Sequence, residues 1–301
     1  MNRMNSIIEH QNDQSILDKL SAQRNVYSIA KRWRNVRFVS CVLAILILSI
    51  FRAFFVDSRT IAIILESVVF VSLFLGSVFT KQISRYRTLA ARIQQLLDTE
   101  LFGIPWDENL CGPKPTSEEV FDYKSSKISS KFYDWYLKEI GEVQDHNTAV
   151  LLCQRESLRY DSHIRTTFTS LCKVFGYILC GGLLVVAFCL YKYDWLSIVT
   201  FGLIPITPVI RWIQAVRNDD EQDKDIRDTL ESQIKEEMEN ALEGKPVRLS
   251  ALRQIQCRMF IHRKDGYLIP NCFYDICRKK SEVRAAYSVR EFLAKSAGER
   301  V

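Results

Sequence analysis

The 301 residues contain no P-loop, no G-x-G-x-x-G, no G-x-S-x-G elbow and no H-E-x-x-H, so the phosphate cradle, the dinucleotide turn, the nucleophile elbow and the zinc helix are all missing. Histidine is scarce: His10, His146, His163 and His262 are scattered, and no nucleophile, base and orienter form a recognisable constellation. An enzyme is therefore not expected. The nine cysteines show no C-x-x-C and no paired ligand spacing, which argues against a metal and leaves them as free thiols in small packing roles. A signal peptide is also absent from this reading, because the first apolar run begins at Phe38, is too long for an h-region and precedes no small-residue cleavage site.

What the chain does have is strong segregation of apolar from charged sequence, hidden behind 48% hydrophobic residues and a mean hydropathy near zero. Residues 38–80 hold two apolar runs separated only by Asp57-Ser58-Arg59, and residues 171–213 hold two more around Lys192-Tyr193-Asp194. Each run is close to the ~20 residues that cross a hydrocarbon core as a helix. The expected fold is an all-α integral membrane protein with four transmembrane helices arranged as two hairpins, carrying helical cytoplasmic extensions. Arg24, Lys31, Arg32, Arg34 and Arg37 precede the first run, Lys81, Arg85, Arg87 and Arg92 follow the second, and the short loops offer only Arg59 and Lys192. Basic residues collect on the cytoplasmic side, so both termini and the middle segment are expected there.

The resulting segments are an amphipathic cytoplasmic stretch (1–37), hairpin one (38–80), a helical middle region (81–170), hairpin two (171–213) and a C-terminal helical region (214–301). Arg52 and Glu66 lie inside apolar sequence about 8–10 Å below the first hairpin tip. A charge in hydrocarbon normally pairs or faces water, so these two read first as an ion pair, with Arg52 snorkelling or Glu66 lining a cation-favouring pore as alternatives. Pro205 and Pro208 interrupt the fourth run and are hinge candidates, a static kink being the alternative. In Cys180-Gly181-Gly182 the small residues suit close helix approach in lipid. The aromatic stretch from Phe132 to Tyr136 reads as core or interface belt before it reads as a base-stacking platform.

Beyond the spans the charge separates: residues 214–243 hold four Lys/Arg and eleven Asp/Glu, net −7, and residues 244–301 hold thirteen and five, net +8. The acidic part reads as one helix ending near Gly244. The basic part reads as short helices over 250–262, 271–278 and 282–295. Arg253, Arg258, Arg263 and Lys264 are the phosphate-binding candidates, against a solvated basic surface or contact with anionic lipid.

The motifs Ile7-Ile8-Glu9-x-Gln11-Asn12 and Leu20-x-Ala22-Gln23-Arg24-x-x-Tyr27-x-x-Ala30-Lys31, with the later Leu252-Arg253-Gln254-Ile255-Gln256, Arg263-Lys264, Leu268-Ile269-Pro270 and Phe273-Tyr274, resemble the SMODS-associated four-transmembrane pore-forming effectors of bacteria. Cys257 and Asn271-Cys272 stand where that family would bring an acidic residue and an aromatic pair. The resemblance implies a non-enzymatic effector of cyclic-oligonucleotide antiphage defence of the CBASS type. Its partners would be the inner-membrane bilayer, an activating cyclic oligonucleotide, a nucleotidyltransferase that makes the signal and further copies of itself, but neither DNA nor a resident cofactor. A constitutive channel or small transporter, or a membrane scaffold, is the competing class.

Overall fold

Helices make up every regular element among the described residues, as the segregated sequence predicts. The computed structural model describes residues 5–54, 59–191 and 194–298 apart from a few side chains, those of Arg52 and Pro205 among them. The longer helices are α1 (Gln14–Phe38), α2 (Ala44–Phe54), α3 (Arg59–Phe102), α4 (His146–Tyr191), α5 (Ile204–Leu242), α6 (Leu249–Asp265) and α7 (Asn271–Ser296). A π turn, Val39–Leu43, joins α1 to α2, and a second, Val199–Leu203, leads into α5. Three helical stretches among the described residues are long and apolar enough to cross a membrane: Gln14–Phe51, Ile63–Phe102 and His146–Cys189.

Two units organise these helices. The first comprises Met1–Ile29, Tyr86–Arg165 and Gln222–Val301, and the second Ala30–Arg85 and Thr166–Glu221.

In the first unit, stripes at three- and four-residue steps meet in one core. Leu97 from α3, Leu151 from α4, Leu230 and Ile234 from α5, Leu252 from α6 and Val289 from α7 are all buried within it. Helix ends follow local chemistry. Gly103 takes φ 65°, just beyond α3. After α5, Gly244 at φ 79° lets Lys245 N–H reach Asn240 O and Gly244 N–H reach Ala241 O, both at 3.0 Å, satisfying carbonyls that would otherwise be orphaned. Thr116 caps the short helix Ser117–Tyr123 in a reciprocal pair: Thr116 Oγ1 accepts from Glu119 N–H at 3.2 Å, and the Glu119 carboxylate accepts from Thr116 N–H at 3.0 Å. Phe132 and Tyr136 are buried and Tyr133 and Trp135 exposed, so half of the aromatic stretch serves the core. The two short helices expected over 271–278 and 282–295 are one, α7, since Lys279-Lys280-Ser281 contains neither Gly nor Pro to break it.

Glu156 of α4 accepts a hydrogen bond from Leu137 N–H at 3.2 Å, and burial pushes its carboxyl up to about 7. A folded-state value above the unfolded one means stability is fully present below about pH 4 and declines as pH rises toward 7. Glu156→Gln keeps the acceptor and removes the charge. It is expected to stabilise the detergent-solubilised protein by about 1–2 kcal/mol near pH 8 and to change little near pH 4, as read by denaturant unfolding.

The second unit has the inverse surface of a water-soluble domain: Phe70, Phe74, Ile178 and Val185 are each more than three-fifths exposed. Its interior is thin. Leu46, Val209 and Ile213 form a buried cluster with Val42, Leu179 and Trp212 against it, and the Phe38 and Trp212 rings lie 5.2 Å apart. Close approach uses other glycines than those the sequence singled out. Gly181 and Gly182 have open space beside them, whereas a Cβ at Gly176 would strike Ile213 and one at Gly202 would come 2.9 Å from Ala187 Cβ. Lys173 pairs with Asp220, which also accepts from Thr169 Oγ1 at 3.0 Å. Glu66 is exposed, while its suggested pairing with Arg52 lies outside the described side chains. Pro208 sits inside α5, shortly after the π turn Val199–Leu203. Proline cannot supply an N–H to the helical ladder, and a widened turn just before it is a common accommodation.

Candidate functional site

Helix α6 positions the candidate residues, and its 3.6-residue period sorts them onto two faces. Leu252, Ile255 and Met259 point into the core of the first unit, and His262 and Arg263 continue that same buried face one turn on. Arg253, Gln254, Cys257, Arg258 and Ile261 occupy the opposite face and line a cleft of about 670 Å³. Of the four basic candidates, the structure brings two together there. Lys264, half-buried, lies beyond the cleft lining.

Arg263 is committed elsewhere. Its guanidinium donates to Asp98 Oδ2, which also accepts from Gln256 Nε2 at 2.9 Å; Gln256 in turn donates to Gln95 Oε1 at 3.0 Å and accepts from Gln154 Nε2 at 3.0 Å. This buried chain joins α3, α4 and α6. Burial works against the Arg263 charge, yet the Asp98 carboxylate outweighs it and raises the guanidinium above its usual range.

His262 anchors a second network that sequence reading did not assemble. Its Nε2 lies 2.9 Å from Asp161 Oδ2, and its Nδ1 lies 2.6 Å from Asp223 Oδ1 in an ion-pair contact without hydrogen-bond alignment. Asp161 also accepts from Arg165 and, at 3.1 Å, from the Tyr274 hydroxyl, while Arg165 Nη1 donates to Tyr267 O at 3.0 Å. Arg227 lies 3.3 Å from Asp223 Oδ2. A Cβ on Gly266 would come 2.7 Å from the His262 carbonyl oxygen and collide with the Arg165 guanidinium, so glycine is required at that close approach. The signal was available: His262 stands three residues after Met259, on the inward stripe.

The cleft itself is suited to an oxyanion with apolar appendages. Pro105, Leu110, Leu249 and Ile261 supply apolar wall, and its volume lies in the range of small-molecule sites. Arg253 Nη2 lies 3.0 Å from Asp107 Oδ2. Arg258 differs: its Nη1 is buried and, among the described residues, has no hydrogen-bond partner. A buried donor left in that state costs about 1–3 kcal/mol. A second hollow of about 290 Å³ is lined by Asp223, Asp225 and Asp265, the wrong sign for a phosphate. No cluster of metal-ligating side chains occurs among the described residues.

A family model described as the SMODS-associating 4TM effector domain matches residues 5–292. No curated protein and no solved structure matches the chain.

Proposed function

Because the chain belongs to the SMODS-associating 4TM effector family, we propose that it permeabilises the bacterial inner membrane when a cyclic oligonucleotide occupies the α6 cleft, as an effector of antiphage defence. The observation that carries this reading is Arg258, which lines a 670 Å³ cleft together with Arg253 and has a guanidinium nitrogen without a hydrogen-bond partner among the described residues. Phosphodiester oxygens supply the acceptor, and the apolar wall suits nucleobases. Helices α1, α3, α4 and α5 each contribute residues to both units, a route by which ligand binding could be coupled to the apolar unit.

The apolar run over residues 195–213 completes four spans in two hairpins, and the excess of Lys and Arg flanking the spans supports cytoplasmic termini. Four helices from one chain are too few to enclose a wide aqueous path, so the active form is a homo-oligomer, with Pro205 and Pro208 as the hinge and Arg52 and Glu66 as a depth-matched pair. A nucleotidyltransferase supplies the signal.

Purified protein in dye-loaded liposomes tests the reading. Leakage should require a cyclic oligonucleotide; leakage without any nucleotide would instead support a constitutive channel, and none under saturating nucleotide would overturn permeabilisation. Arg258→Gln is expected to weaken binding of the activating nucleotide roughly 10–100-fold in a titration, the value of one or two charge-assisted hydrogen bonds, without altering thermal stability.

A further inference from the structure

The charge separation of the C-terminal region reappears in the first unit as two exposed helix faces of opposite sign. On α7, Ile276, Lys280, Val283, Tyr287 and Arg290 are all exposed and recur at steps of four and three, so they lie in one stripe. Its Ile276, Val283 and Tyr287 are each more than three-fifths exposed. Scattered surface apolar residues are ordinary, but three in register on one helix face mark a contact surface. Two ion pairs, Lys131 with Asp275 at 3.2 Å and Glu139 with Arg290 at 2.6 Å, tie the 131–139 segment along this helix, and that segment carries two more exposed aromatics, Tyr133 and Trp135. Trp, Tyr and Arg are the residue types that most often anchor interfaces.

The complementary face is on α5. Asp225, Asp228, Ser232, Glu236 and Glu239 are exposed there at steps of three and four, and four of the five are acidic. Each stripe covers fourteen residue steps, about 21 Å, with Val283 at the middle of one and Ser232 at the middle of the other. Asp228 and Glu236 of α5, and Lys279 and Lys280 of α7, make no ion pair among the described residues, so these charges are not neutralised within their own subunit. We infer that the α7 face is a docking surface for a second copy of this chain, which presents the acidic face of its α5. Charge complementarity and matched length select that occupant. A second α7 face would bring Lys280 and Arg290 against like charges, and an anionic lipid surface would account for neither the matched length nor the acidic stripe. In the contact the apolar side chains of α7 supply buried area against Ser232 and the aliphatic stems of Glu236 and Glu239, while Lys279 and Lys280 set the register against the carboxylates. Every copy carries one face of each sign, so each can both receive and be received.

The inference gives a surface to the homo-oligomer proposed above, on which it rests, and it needs no nucleotide. Full-length protein in detergent is the material for the test. Isotope-labelled copies carrying Val283→Cys are mixed at high salt with unlabelled copies carrying Ser232→Cys, dialysed to low salt, treated with a short bismaleimide, digested and mapped. The expected product is a peptide joining position 283 of a labelled copy to position 232 of an unlabelled one. Adding Lys279→Glu and Lys280→Glu to the labelled copy should cut the yield roughly tenfold, because like charges then face each other. Adding Asp228→Lys and Glu236→Lys to the unlabelled copy as well should restore it, which also shows that both variants fold. Keeping the salt high should lower the yield of the original pair, since exposed charges are screened. A yield indifferent to the reversals, or a loss that the paired reversals do not repair, would overturn the docking surface. An oligomeric mass without the linked peptide would overturn this surface and keep the oligomer, whereas the expected cross-link in protein that never leaks would leave the surface standing and refute only permeabilisation.

Discussion

Arg263→Met is expected to destabilise the folded protein by about 3–5 kcal/mol, the usual cost of removing one member of a buried ion pair. The Arg263 and Asp98 side chains are 8% and 3% exposed, so the carboxylate left behind could not recover its hydration. Gln256 Nε2 and, at 3.5 Å, the Tyr136 hydroxyl would remain as donors to Asp98, but two neutral donors do not offset a buried charge. The double variant Asp98→Asn with Arg263→Met removes both charges while keeping an acceptor for Gln256, and should recover more than half of the loss. Denaturant unfolding in detergent measures all three proteins. A single variant within about 1 kcal/mol of wild type would mean that Arg263 is not structurally committed, and would return it to the pool of ligand residues. The contrast with Arg258→Gln is the useful control, since that change should move affinity and leave stability in place.

Arg263 also shows where sequence reasoning reached its limit. The apolar runs were legible because crossing hydrocarbon imposes a length of about twenty residues and excludes charge. The extension of α3 to Phe102 was legible from Ile83, Tyr86, Ala90, Ile93 and Leu97 at alternating three- and four-residue steps, and its stop from Gly103 and Pro105. In α6 the stripe of Leu252, Ile255 and Met259 reaches Arg263 because the helix runs on to Asp265, past the end expected at 262. Expectation placed Arg263 with the surface basic residues because its partner, Asp98, lies 165 residues earlier, and Asp161, the partner of His262, 101 residues earlier. Whether a cation is buried and paired or solvated depends on which helices come together, a property of tertiary packing that no local window contains. Arg253 and Arg258 line the same cleft, but a five-residue step on an α-helix turns by about 140°, so helical period alone does not separate this pair from Arg263.

His262→Ala should cost a similar amount, about 3–5 kcal/mol near neutral pH, and its pH dependence distinguishes it from simple loss of packing. The His262 and Asp223 side chains are 3% and 4% exposed, and both ring nitrogens face carboxylate oxygens, of Asp161 and Asp223. Burial on its own would push both carboxyls up; Arg165 and His262 outweigh it and hold both below the usual carboxylate range, with Arg227 assisting at Asp223. A depressed folded-state value contributes stability that is present above the unfolded value of about 3.9 and is lost as pH falls through the folded value. Wild-type stability from these two groups should therefore persist to below about pH 4 and then decline. Without His262 the carboxyls move back toward their usual range, so the decline should begin at higher pH. The difference between the two proteins should shrink once both carboxyls are protonated, because a neutral acid no longer needs the imidazole. Unfolding free energies measured from about pH 7 down to about pH 3 give the two curves. Parallel curves would show that His262 acts by filling space; convergence on the acid side would show that it acts through its contacts with the Asp161 and Asp223 carboxylates.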